Sequence, residues 1–154
     1  MSIRILIRTI EELCFNLKDY ETINHGKFKA DFINYLQKKG CSVIEEYGLR
    51  FNNVTRNGEI VERGGAIDFM VAFDDNKIAI EFDNGNRLKL KSIAKLLQSG
   101  ADVLIGIVRG NQSYSVLSTN RSRIIYVVKK LQISRSILLI IISQKSYNWI
   151  KPFG

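Results

Sequence analysis

Apolar and polar residues alternate along two short runs in the middle of the chain. In residues 78–83, isoleucine or phenylalanine fills every second position, which leaves Glu81 and Asp83 on the opposite face of a β-strand. Residues 65–71 alternate in the same way, with Asp68 facing away from the apolar side. That apolar side is predicted to carry Ile67, Phe69 and Val71.

The polar residues 74–77 separate the two runs and predict a tight turn, so we expect the runs to pair as a β-hairpin. Pairing would bring Asp68, Glu81 and Asp83 together. Crowded carboxylates repel one another unless a proton or a cation offsets their charge. Oxygen-rich clusters suit Mg²⁺ or Mn²⁺, so the pattern predicts a metal site with these three acids as ligands.

The segments on either side of the hairpin predict helices and further strands. A helix over 26–40 is expected to lead into a strand over 41–47, with a turn-rich segment before the acidic hairpin. After the hairpin, a helix over 89–99 leads into a strand over 101–108. This α-β-β-β-α-β order predicts an α/β fold with a mixed central β-sheet flanked by helices.

The two ends of the chain complete the predicted domain. A capping box at Thr9 predicts a short helix that begins there and runs to about residue 19. The polar segment 110–123 is expected to be a loop, either one that contacts substrate or an ordinary surface loop, and Gly64 and Gly65 to form a tight turn or a point of close backbone approach.

The remaining C-terminal residues are read as a helix, a strand and an aromatic tail. A helix is predicted over 124–131 and a buried strand over 137–142. The tail side chains are expected to pack on the core or to stack on bases; they are Tyr147, Trp149 and Phe153. We expect one domain over 1–154, with a core at about 21–110 and a helix-strand extension over 111–154.

Composition excludes several classes of protein. The chain has no apolar run of roughly 18 residues, as a membrane span needs, and its first residues lack a signal-peptide layout. The two cysteines, Cys14 and Cys41, do not make a disulfide framework, so we expect buried thiols and a cytoplasmic location. His25 is the single histidine, and no Walker or dinucleotide-binding motif is present.

Charge is distributed unevenly along the chain, whose formal net charge is +8. Residues 1–83 hold 11 Lys or Arg against 14 acids, a net −3, whereas residues 84–154 hold 12 against one, a net +11. A basic half predicts a polyanionic partner, nucleic acid first, and a solvated basic surface is the alternative. The predicted nucleic-acid contacts are Arg87, Lys95, Arg109, Arg121 and Arg123.

The acidic hairpin resembles a known family. An Asp at the end of a hydrophobic strand, then a hairpin, then an acid in Ile80-Glu81-Phe82-Asp83 is similar to the PD-(D/E)XK nuclease superfamily, the fold of restriction endonucleases and archaeal Holliday-junction resolvases. The resemblance covers about residues 21–110 and implies a restriction-endonuclease-like αβββαβ core. It further implies a Mg²⁺-dependent endonuclease or exonuclease, with Asp68 and Glu81 as metal ligands and DNA as the expected substrate.

The chain departs from the family motif at two positions. Ile67 stands where the family has proline, and Asp83 stands where it has lysine. Lys89 and Lys91, or the neighbouring Arg87, are the candidates to supply the missing cation, and Asp83 would add a metal ligand. The replaced lysine also leaves an alternative open: a catalytically inactive, nuclease-fold nucleic-acid-binding protein or subunit of a larger DNA-processing assembly. A homodimer is a further partner that the sequence leaves open.

Overall fold

A computed structural model describes residues 2–17 and 24–152 of the chain. The helices of this part are α1 (Ile3–Phe15), α2 (His25–Lys38), α3 (Leu90–Leu97) and α4 (Ser115–Leu131), with a 3₁₀ turn at Ile142–Gln144. Its strands are β1 (Ser42–Val54), β2 (Ile60–Phe73), β3 (Asn76–Asp83), β4 (Val103–Val108), β5 (Ile137–Ile141) and β6 (Ser146–Ile150). None of the helices in this part is long and apolar enough to cross a membrane.

The six strands form one mixed sheet in the order in which they occur along the chain. Strands β1, β2 and β3 are antiparallel neighbours, β3, β4 and β5 are parallel, and β6 returns antiparallel to β5. The prediction of an α/β fold with a mixed sheet flanked by helices is confirmed, and α2 to β4 follow the predicted α-β-β-β-α-β order. The two C-terminal strands extend the same sheet.

Helices cover both faces of the sheet and bury two hydrophobic clusters. One cluster packs α1 and α2 on side chains such as Phe69, Ile80 and Phe82. The other packs α3 and α4 on the opposite side chains of the strands, among them Ala79 and Leu104. Cys14 and Cys41 are free, buried thiols in the first cluster, as composition predicted. The site described below lies where these two layers meet the end of the β2–β3 hairpin.

The first hairpin is longer than the sequence indicated. Strand β1 continues to Val54 and β2 begins at Ile60, so residues 55–59 form the turn and the first part of the segment read as turn-rich, residues 52–54, belongs to β1. Because β3 pairs only with residues 69–73 of β2, the outer part of this hairpin, residues 47–66, extends beyond β3. We call it the hairpin arm; its β1 half packs against α3 and α4.

Three local predictions were wrong, and for a fourth, one of its two alternatives is confirmed. Thr9 does not open a helix, because α1 begins at Ile3 with the Ser2 hydroxyl accepting a hydrogen bond from the Ile5 amide. Helix α4 begins at Ser115, so most of the predicted 110–123 loop is helical. Gly64 and Gly65 form no turn; they lie within β2 and pair closely with β1, which is the predicted alternative of close backbone approach. Tyr147 and Trp149 belong to the unpredicted edge strand β6, whereas Phe153 lies outside the described residues.

Candidate active site

Asp68 and Glu81 meet where strands β2 and β3 separate. The ladder between the two strands ends at the pair Phe69–Ile80, and the next residues in register are Asp68 and Glu81. There the carboxylates replace backbone acceptors: the Asp68 amide donates to Glu81 Oε2 at 3.3 Å, and the Phe82 amide donates to Asp68 Oδ2 at 2.8 Å. The fork between the strands therefore holds two carboxyl groups side by side.

The alternation of side chains is interrupted at this fork. Phe69 packs in the cluster under α1 and α2, but Ile67 packs in the cluster under α3 and α4, so the predicted shared face is wrong for Ile67. Opposite the interruption, Glu46 of β1 has a left-handed φ of 53°, which extended strands do not contain. The irregularity lets Asp68 receive contacts from α2 while Glu81 receives contacts from α3.

Glu81 is an unusually buried carboxyl group, with 2% of its surface exposed. Burial first, and then the hydrogen bond and repulsion from the neighbouring Asp68, raise its pKa to about 9 although Lys95 opposes the rise. Its Oε1 atom is buried and accepts no well-directed hydrogen bond, although the Lys95 ammonium lies against it as an ion pair. The two neighbouring carboxyl groups thus carry more negative charge than Lys95 alone offsets, and a further cation would be favourable beside Glu81.

Lys95 reaches this fork from helix α3. Only 8% of the residue is exposed, and its Nζ donates a hydrogen bond to the Ala66 carbonyl at 2.7 Å. Gly65 lets Phe51 pack closely on β2, since a Cβ atom there would lie 2.9 Å from Phe51 Cε1, and Lys95 Cδ would lie at an ordinary contact distance of 3.6 Å from it. The hairpin arm and α3 together hold one ammonium group beside the two carboxylates.

Helix α2 supplies two further groups, both of which contact Asp68. Lys29 Nζ lies 3.6 Å from Asp68 Oδ1 and forms an ion pair with Glu46. His25 Nε2 lies 3.9 Å from Asp68 Oδ2 and 3.2 Å from the Phe82 carbonyl oxygen. Burial lowers the pKa of Lys29, but the contact with Glu46 and the charge of Asp68 outweigh that effect and raise it.

Sequence reasoning assigned no role to Lys29 and treated Lys95 only as a nucleic-acid contact. The sequence did contain a signal for both lysines, because each lies next to the apolar residues of a predicted helix. Lys29 follows the buried Phe28, and Lys95 lies between the buried Ala94 and Leu96, which is an unusual place for an unpaired lysine.

Asp83 does not join the other two acids as a third side chain at the fork. Its Oδ2 accepts a hydrogen bond from the Lys89 amide at 2.9 Å, beside the first turn of α3. In residues 2–17 and 24–152, no group of three or more Asp, Glu, His or Cys side chains is arranged to hold a metal ion. The site therefore offers two adjacent carboxylates to a cation, with Asp83 on the rim.

An open cleft of about 360 Å³ leads to the fork. Its walls are the hairpin arm on one side and the start of α3 on the other, and Lys89 and Lys91 are exposed along the second wall. The cleft is lined by both signs of charge: Glu46, Asp68, Glu81 and Asp83, and His25, Arg63, Lys89, Lys91 and Lys95. A phosphate group that enters the cleft meets these basic side chains as well as the carboxylates.

The predicted nucleic-acid contacts occupy several places. Lys95 lines the cleft, whereas Arg87 and Arg121 are exposed outside it. Arg109 Nε donates to Asn84 Oδ1 at 2.7 Å, and Arg123 Nε donates to the Leu88 carbonyl at 2.8 Å. Arg87, Arg109 and Arg123 thus lie around the segment that leaves β3 and enters α3.

Comparison of the chain with models of protein families, with curated proteins and with solved structures found no match. Function is therefore inferred from the chemistry of the fork and its cleft.

Proposed function

We propose that this protein is a metal-dependent nuclease of the PD-(D/E)XK type that hydrolyses phosphodiester bonds in DNA. One observation carries the proposal: Asp68 and Glu81, from neighbouring strands, share one site, with Lys95 against Glu81. Perturbed carboxyl groups in a cleft are characteristic of functional sites. The α-β-β-β-α-β order from α2 to β4 agrees with the family resemblance of the sequence.

The donor set fits a divalent cation. Mg²⁺ is usually bound by one or two carboxylates and completes its coordination with water and substrate phosphate oxygens, so a third acidic side chain is not required. The raised pKa of Glu81 supports the fit, because it marks a carboxyl group whose charged form is stabilised by added positive charge. Asp68 and Glu81 would hold Mg²⁺ or Mn²⁺, which when bound activates water and offsets negative charge on the phosphate.

The other side chains of the site prepare it for a phosphodiester. In this proposal Lys95 takes the part that the sequence left to Lys89 or Lys91, and the support is its buried ammonium against Glu81. A preorganised cation is most effective where water is excluded and charge develops in the transition state. Lys29 and His25 fix the orientation of the Asp68 carboxylate from the other side.

The distribution of charge supports nucleic acid as the substrate. Lys89 and Lys91 line the cleft mouth, and residues 84–154 carry a net +11. Lysines and arginines that neutralise phosphates release counterions, which gives affinity for any sequence. Asp83 in this proposal shapes the start of α3, and its role as a metal ligand remains a prediction.

The alternative is a nuclease-like protein that binds nucleic acid without cleaving it. The observation that favours it is the ion pair of Lys95 with Glu81, since it already offsets part of the charge that a metal would offset. Pure binding gains nothing from a buried carboxyl pair at the end of a cleft through which phosphates approach.

Glu81→Gln tests the proposal, because it keeps the size of the side chain and removes a negative ligand. Plasmid nicking in Mg²⁺ and in Mn²⁺ should fall about 10²-fold or more, since each ~1.4 kcal/mol of lost transition-state stabilisation lowers a rate about tenfold. Affinity for DNA, measured in EDTA, should stay level or rise because repulsion of phosphate is relieved.

The matched control is Glu12→Gln, an exposed glutamate on α1, which should nick plasmid at the wild-type rate. Equal residual nicking by wild type and Glu81→Gln would mark that activity as contamination and favour the binding protein.

A further inference from the structure

Three arginines from separate elements converge outside the cleft. Arg123 of α4 donates a hydrogen bond from its Nε to the Leu88 carbonyl at 2.8 Å, which sets its guanidinium beside the backbone segment that carries Arg87. One turn further along α4, the Tyr126 hydroxyl lies 2.8 Å from the Thr55 carbonyl oxygen and 3.5 Å from that of Arg56. These contacts bring the turn of the hairpin arm, residues 55–59, to the same face of α4.

A buried asparagine of α4 holds the segment that carries Arg87 in place. Asn120 is fully buried, its Oδ1 accepts a hydrogen bond from the Leu88 amide at 2.8 Å, and its Nδ2 donates to the Asn86 carbonyl at 2.9 Å. With Arg123 bonded to the Leu88 carbonyl, α4 holds both polar backbone groups of residue 88. The position of Arg87 is therefore built into the fold.

The convergence is electrostatically unfavourable in the free protein. Burial lowers the pKa of Arg123, the charges of Arg87 and Arg56 lower it further, and Asp83 is the acid that opposes them. Lys130 adds to the same charge, because its Nζ lies 3.0 Å from the position that a Cβ atom on Gly58 would occupy. Arg56 and Arg87 are exposed, so an anion can reach both.

We propose that Arg56, Arg87 and Arg123 form a binding site for a single phosphate group of the nucleic acid, separate from the phosphate at Asp68 and Glu81. Guanidinium groups bind phosphate oxygens in bidentate geometry, and an anion removes the repulsion among the three cations. The inference rests on the proposed function and extends it: the substrate strand contacts both the cleft and the outer face of α4, across the turn of the hairpin arm.

A double-mutant cycle tests whether the arginines share one phosphate. Affinity for a short DNA duplex is measured in EDTA for wild type, Arg56→Gln, Arg87→Gln and the double variant, over a range of salt concentrations. Each single variant should bind more weakly, with a salt slope smaller by up to about 0.9. The loss of affinity in the double variant should differ from the sum of the two single losses, because side chains that bind the same phosphate are energetically coupled.

Arg4→Gln is the matched control, since it removes an exposed arginine from α1 and should leave the slope unchanged. Duplexes with a 5′-phosphate and with a 5′-hydroxyl distinguish the source of the phosphate: an equal effect assigns a backbone phosphate, and an effect confined to the phosphorylated duplex assigns a terminal one.

Additive losses, or single variants that bind like Arg4→Gln, would overturn the shared site. A wild-type protein that binds no DNA at low salt would instead refute the nucleic-acid partner itself, so the two failures are distinguishable.

Discussion

The surroundings of Lys95 differ from those of the other lysines near the start of α3. Its neighbours in sequence, Lys89 and Lys91, are exposed, as lysine side chains usually are. Lys95 is buried because it points between the hairpin arm and the fork, where the Ala66 carbonyl and the Glu81 carboxylate satisfy its ammonium. A buried ammonium is tolerated only when paired in this way.

We therefore expect Lys95→Met to reduce plasmid nicking more than Lys91→Met does. The methionine keeps an unbranched stem of similar length but removes the cation beside Glu81, and the loss of one preorganised charged donor costs about 10²–10³-fold in rate. Lys91→Met removes a cation from the cleft wall and should have a smaller effect. Nicking rates under identical Mg²⁺ conditions measure both, with circular dichroism to check that each variant is folded. A larger loss in Lys91→Met would mean that the exposed Lys91, and not Lys95, supplies the cation that cleavage needs.

At the scale of elements, α3 is positioned by close packing between β4 and the segment that precedes the helix. Gly106 pairs with Glu81 across the parallel strands β3 and β4. A Cβ atom at Gly106 would lie only 2.6 Å from Leu88 Cδ1, so the glycine allows Leu88 to pack directly on the sheet. Leu88 in turn is fixed through its backbone by Asn120, and the fork thus depends on a packing contact one strand away.

Gly106→Ala should lower the free energy of unfolding by about 1–3 kcal/mol, the usual cost of overpacking a well-filled core. Gly85→Ala is the matched control, because nothing lies within 4 Å of a Cβ atom there. Urea denaturation of both variants measures the difference, which we expect to appear as a lower midpoint for Gly106→Ala alone. Equal midpoints would mean that Leu88 relaxes without cost.

Prediction from sequence succeeded where structure depends on neighbours along the chain. The turn at Asp74–Asp75 follows polar residues between two alternating runs, and the strand that begins at Ile137 follows a continuous apolar run; both lie where the sequence indicated. The helix predicted over 124–131 was too short, because residues 115–123 at the start of α4 are mostly polar. Its buried residues nevertheless follow helical spacing, as Val116, Asn120 and Ile124 show.

The environment of the candidate site could be predicted only in part. The two acids were identifiable because each interrupts an apolar strand. The positions of Lys29 and Lys95 depend on how α2 and α3 pack on opposite faces of the sheet, and the long hairpin arm depends on its contacts with α3 and α4. No periodicity in the sequence encodes such contacts between distant elements.

At the scale of the whole molecule, the two carboxyl groups and the cations from both helical layers lie at one end of the sheet. The carboxylates lie at the fork of β2 and β3, with α2 on one side and α3 on the other, so cations from both helical layers reach them. Outside the cleft, α4 and the hairpin arm add the arginines of the proposed phosphate site. This arrangement separates a small acidic centre from a larger basic rim, which is consistent with the proposed binding of a metal ion and a polyanion at one site.

A metal ion that binds the folded protein through Asp68 and Glu81 should stabilise the entire fold, because a ligand specific for the folded state shifts the unfolding equilibrium. At a free Mn²⁺ concentration 100 times its dissociation constant, the expected stabilisation is about 2.7 kcal/mol. Urea denaturation with Mn²⁺ and with EDTA measures it without any nucleic acid. Asp68→Asn should lose most of the effect, whereas Asp75→Asn, the same substitution in the exposed turn at the other end of the β2–β3 hairpin, should keep it. Equal stabilisation of wild type and Asp68→Asn by Mn²⁺ would place the ion elsewhere on the protein and remove the metal from the proposed mechanism.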